Sequence, residues 1–159
     1  MSVQSPFPGG APVGYVSELD ATRAAAVLYL RLWREGDAGR SQINHDWTLA
    51  LGADAGQRAQ DSFDALCDIC QTHARRPLMR HAVMCNCLGA DEACFANFIA
   101  TAAEGAREDA MLMATLLVRP DMAPLVTELA ARFGLMLKRM RLAQCRATAQ
   151  SPDRPMTLH

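Results

Sequence analysis

The chain has 159 residues, about half of them hydrophobic, with sixteen basic and seventeen acidic side chains for a net charge of −1. That length predicts one domain, large enough to bury a core without disulfide staples. The charge excludes a chain that is basic overall, as histone-like nucleic-acid binders are, and equally a highly charged disordered chain.

Residues 1–16 carry three Pro and three Gly without hydropathy period and read as a flexible arm. Ser17, with Asp20 three later, predicts a helix start; Leu19, Val27, Leu28, Leu30 and Trp33 carry it to Glu35, and Gly36 stops it. Ile43, Trp47 and Leu51 fall at four-residue steps and predict a helix over 41–51, ended by Gly52. Asp54 opens the next, which runs to about His73 on Ala59, Phe63, Leu66, Cys67 and Cys70. Pro77 suits a first turn, so a helix is expected over 77–88, closed by Gly89. Asp91 caps another through Phe95, Phe98, Ile99 and Ala102 up to Gly105. Residues 107–118 are apolar nearly all round and are expected to form the central helix. Arg119-Pro120 breaks it, and Asp121 caps a last long helix with Pro124 in its first turn and an end near Ala147. Strand signals are weak. The expectation is an all-α fold, a compact bundle of about six to seven helices over residues 17–148, with a second flexible tail over 149–159.

The first residues have no basic and then apolar stretch of the secretory kind, and the longest apolar run, from Ala110, is too short to cross a bilayer. Cytoplasm is the expected compartment, with no membrane association. Fifteen Arg to one Lys, with abundant Ala, fits the coding bias of a GC-rich bacterium.

Five of the six cysteines lie between Cys67 and Cys94. Cys67 and Cys70 are three apart, and His81 and Cys85 four apart, so each pair shares one face of its expected helix. An antiparallel hairpin of those helices sets Cys70 level with His81 and Cys67 level with Cys85. Three thiolates and an imidazole so disposed make a tetrahedral zinc site. Cys85, Cys87 and Cys94, with His81 or Asp91, offer an alternative gathering around Gly89. Buried cysteines that simply extend the apolar face of Phe63 and Leu66 account for the same spacing.

The acidic body is offset by a basic end: residues 1–71 balance to −4, 72–128 to −2 and 129–159 to +5. Within that end, Leu129-Ala130-Ala131-Arg132-Phe133-Gly134-Leu135 followed by Met140 resembles the helix-turn-helix pattern of bacterial DNA-binding domains. The resemblance implies that Lys138, Arg139 and Arg141 lie on a recognition helix and meet DNA. A continuous amphipathic helix explains the same residues, with Leu125, Leu129, Phe133, Met136 and Met140 as one stripe and Gly134 allowing close packing.

No Glu-x-x-His pair, P-loop, Gly-x-Ser-x-Gly elbow or His-Glu-x-x-His motif occurs. The sequence therefore reads as a non-catalytic helical protein that binds a partner protein or itself, a homodimer included, with zinc as a stabilising clip. The alternatives are a metal- or redox-responsive regulator that touches DNA through its last helix, and an enzyme of unknown substrate.

Overall fold

The computed structural model describes residues 8–150. Among them, strand β1 (Pro12–Tyr15) precedes helices α1 (Ala21–Arg34), α2 (Asp37–Leu51) and α3 (Ala53–Thr72); strand β2 (Cys87–Gly89) then leads directly into α4 (Ala90–Ala103), followed by α5 (Arg107–Leu117) and α6 (Ala123–Ala149). The fold is all-α, 77% helical, with one small two-stranded sheet. No helix of the described residues is long and apolar enough to cross a membrane.

The helix stops act as their chemistry requires. Gly36 and Gly52 sit at φ 76° and 89°, where a side chain would be strained, and the chain turns there from α1 to α2 and from α2 to α3. Asp20, not Ser17, caps α1: the Arg23 N–H donates to its Oδ1 at 2.9 Å. Leu30, Ile43, Trp47, Phe63, Leu66, Phe95, Phe98 and Ile99 are fully or almost fully buried. Aromatic rings join four helices: Tyr29 meets Trp47 at 5.1 Å between centroids, Trp47 meets Phe63 at 5.4 Å, and Phe63 meets Phe133 at 4.4 Å.

Three expectations are corrected. The central helix is α4, not 107–118; α4 buries nine side chains including Phe95, Phe98 and Ile99, whereas Leu112 and Leu116 of α5 are 69% and 65% exposed. The alanines of α4 let its neighbours approach from several sides, and burial follows that approach more than apolar content. Second, no helix forms over 77–88. Residues 73–86 run as turns and irregular chain, because their backbone groups find partners on distant elements and not four residues back along a helix. Third, residues 12–15 of the expected flexible arm are a strand, paired antiparallel with β2 so that Tyr15 lies opposite Cys87 and Gly14 opposite Leu88. Val16 N–H donates to the Asn86 carbonyl at 2.8 Å and continues that pairing. Of the rest of the arm, Pro8–Gly10 form a short 3-10 turn, whereas 1–7, like the tail beyond residue 150, lie outside the described residues.

Candidate functional site

Arg31 stands on the buried side of α1, four residues after Val27 and one after Leu30, and is only 3% exposed. A buried guanidinium requires an acid, and Glu92, three residues into α4 and fully buried, supplies it. The pair is bidentate: Arg31 Nε donates to Glu92 Oε1 at 2.7 Å and a terminal nitrogen donates to Oε2 at 2.9 Å. The remaining donors of Arg31 reach three carbonyls, of Ala82 (3.0 Å), Cys85 (2.6 Å) and Cys87 (2.7 Å). Glu92 in turn accepts from the backbone N–H of His81 and of Gly89, both at 3.0 Å. Burial alone pushes the Glu92 carboxyl up, but these hydrogen bonds and the Arg31 charge outweigh it and hold the group below the usual carboxylate range. Beside it, Asp91 accepts from both terminal nitrogens of Arg76 at 2.8 and 2.6 Å, and from the Met79 N–H at 2.8 Å. Two carboxylates at the start of α4 and one guanidinium thus tie down the chain from residue 76 to residue 89.

This centre dismantles the hairpin on which a zinc site was expected. Cys67 and Cys70 are buried on α3 and border a cavity of about 250 Å³ with Arg34, Gln71, Leu78 and Arg80; neither His81 nor Cys85 reaches it. His81 Nε2 lies instead 3.1 Å from the Gly10 carbonyl. Cys85 and Cys87 flank Asn86, half-buried, at the mouth of the Arg31 centre. Among the described residues, no three His, Cys, Asp or Glu side chains gather as a group able to hold a metal ion, so neither the Cys67, Cys70, His81, Cys85 set nor a gathering of Cys87, Cys94 and Asp91 forms. Burial raises the Cys67 thiol well above its ordinary range and pushes Cys70 up to about 12, which makes both poor nucleophiles at neutral pH. Burial also raises Cys94. Cys87 is raised by the hydrogen bond and charge of the Cys85 thiol beside it and by burial, against the lowering effect of Arg31.

The basic end takes a different form from the one the resemblance implied. α6 runs unbroken through Gly134, so no turn separates a recognition helix. A Cβ at Gly134 would lie 2.5 Å from the Ala103 side chain and 3.0 Å from the Ile99 carbonyl, and this close approach to α4 is what the glycine permits. Leu129, Phe133, Met136 and Met140 are buried as one stripe, while Leu125 is 49% exposed. Lys138, Arg139 and Arg141 do not share a face. Lys138 is half-buried and donates to the Ala103 carbonyl at 3.4 Å, whereas Arg139 and Arg141 are exposed.

Arg139 belongs to a groove between α3 and α6, about 410 Å³, that the sequence did not reveal. Its floor is apolar, from Ala55 and Ala59 of α3 to Phe133 and Met136 of α6. Arg58, Arg132 and Arg139 stand around it, with Asp61 as the acid. Arg132 pairs with Glu128 at 3.3 Å, while Arg58 and Arg139 are in no ion pair among the described residues. From this groove an exposed line continues along α6 through Arg132, Leu135, Arg139, Leu142 and Arg146, spaced alternately by three and four residues. From Arg141 onward the helix is exposed on nearly every side. Compared with protein-family models, curated proteins and solved structures, the chain matches none.

Proposed function

We propose that the protein is a non-catalytic binding module whose partner is an acidic, partly apolar helix of another protein, laid along α6 and into the groove between α3 and α6. The observation that supports this reading most is the line Arg132, Leu135, Arg139, Leu142, Arg146 beside an apolar floor. It spans fifteen residues, or ~21 Å of helix rise, which suits a four-turn helix and exceeds a small metabolite. Alternating three- and four-residue spacing is the period at which one helix meets another, and leucines set between arginines favour apolar contact flanked by carboxylates. A second copy of this chain would bring the same arginines into a twofold contact and set like charges face to face, which favours a partner of opposite charge. Six free thiols suit a reducing compartment such as the cytoplasm.

The test is titration with a fluorescent, helix-forming peptide that carries leucines on one face and glutamates beside them. A scrambled peptide of equal composition is the control. The expected result is saturable binding of the first peptide only, weakened at least about tenfold by Arg58→Glu with Arg139→Glu, which costs about 1.4 kcal/mol. Both positions are exposed, so unchanged circular dichroism shows that the variant is folded. Equal binding of the two peptides, or preference for duplex DNA, or a dimer that forms without peptide through this face, overturns the reading.

A further inference from the structure

We propose that the Cys85 and Cys87 thiols form a two-thiolate site for a soft monovalent cation, copper(I) in kind. The backbone around them carries the argument. The carbonyls of Cys85 and Cys87 both turn to the Arg31 guanidinium, at 2.6 and 2.7 Å, while the carbonyl between them, of Asn86, turns the other way to accept from Val16 N–H at 2.8 Å. Carbonyls that alternate in this way belong to an extended chain, in which residues two apart place their side chains on one face. The two thiols therefore stand side by side, and both are half-buried, open to an entering ion.

The same anchors make a disulfide the poorer outcome. Two residues apart along an extended chain puts the Cα atoms about 6.6 Å from each other, at the long end of the range that disulfides accept. Closing that gap would pull both carbonyls off a guanidinium that Glu92 holds in the core. A cation between the sulfurs asks for no such movement.

The donor set selects the ion. Zinc takes four ligands, and no third His, Cys, Asp or Glu joins this pair among the described residues. Two thiolates are the soft, low-number set that suits copper(I). On binding, each thiol gives its proton to solvent and two copper–sulfur bonds form. Copper stays at +1, and the bis-thiolate complex carries one negative charge.

Anaerobic titration with copper(I) against a chromophoric chelator tests the site, in a Cys145→Ser background that removes the exposed thiol of α6. One equivalent of copper should bind, and Cys85→Ser or Cys87→Ser should each weaken it roughly 100-fold, since one of two ligands is lost. Cys94→Ser should bind as its parent does. Bound copper should also shield Cys85 and Cys87, but not Cys94, from alkylation followed by mass spectrometry. The Arg31 contacts go to main-chain carbonyls, so the serine variants keep them and remain folded. Undiminished copper in both serine variants, or a first shell of nitrogen and oxygen in the copper absorption edge, overturns the proposal.

Discussion

Arg31 and Glu92 satisfy each other and, between them, three carbonyls and two N–H groups of the chain from His81 to Gly89. Many buried ion pairs can be exchanged for apolar side chains at little cost. This one differs, because an apolar pair would leave those backbone groups buried and unmatched. Arg31→Met alone is expected to lower stability by about 3–5 kcal/mol in urea unfolding, and adding Glu92→Leu should recover little of it. Full recovery in the double variant would contradict this account. A pH dependence follows from the same carboxyl. Glu92 titrates lower in the fold than its ordinary value of 4.5, so the folded state binds fewer protons than the unfolded chain. Its contribution is complete above about pH 4.5 and is lost as pH falls through the folded value. Urea midpoints measured from pH 7 to pH 3 should hold steady with respect to this group and then decline, and the acid decline should be shallower in Arg31→Met. The pair was hard to read in sequence. Arg31 sits within an apolar stripe, which is a usable signal, but Asp91-Glu92 looks complete as an ordinary helix start, and nothing local links positions 61 apart.

The helices were legible where periodicity and punctuation agreed. Gly36, Gly52 and Gly105 end or separate helices at the expected places, and Pro124 lies in the first turn of α6. The segment after Pro77 failed because its apolar spacing suits a helix equally well, and only long-range partners for its backbone decide otherwise. The zinc expectation failed with it, since the ligand heights were counted along a helix that does not form. In α6 the two sequence readings parted at Gly134, and packing against α4 favours the unbroken helix. Gly134→Ala measures that packing. Alanine gains about 1 kcal/mol of helix propensity, yet its methyl would press on Ala103 and the Ile99 carbonyl. A net loss of roughly 1–3 kcal/mol is expected by thermal or urea unfolding. A stabilised variant would show that α4 and α6 separate with ease.

Across the whole molecule one core links the elements. Trp33 is 4% exposed and Trp47 is fully buried, on α1 and α2, with Trp47 in ring contact with Tyr29, Phe63 and Phe133. Tryptophan fluorescence and far-ultraviolet circular dichroism should therefore report one coincident unfolding transition, and iodide should quench neither indole before it. Two separated transitions would mean that α1 to α3 unfold independently of α4 to α6. The near-zero net charge hides a division of sign, with an acidic body and a basic helix whose far end leaves the bundle.

The pairing of β1 with β2 bears on synthesis. Ser17 and Asn86 are bonded across 69 positions, and β1 has no other strand to pair with among the described residues. A growing chain exposes β1 first and provides its complement only after α1, α2 and α3 have left the ribosome. Those helices close through near neighbours, whereas the strand must wait. The contacts that shape the segment bearing Cys85 and Cys87 need both β1 and the Glu92 that meets Arg31, so they cannot form before α4 begins to emerge. During translation, protease sensitivity near residue 12 should thus persist until α4 has emerged.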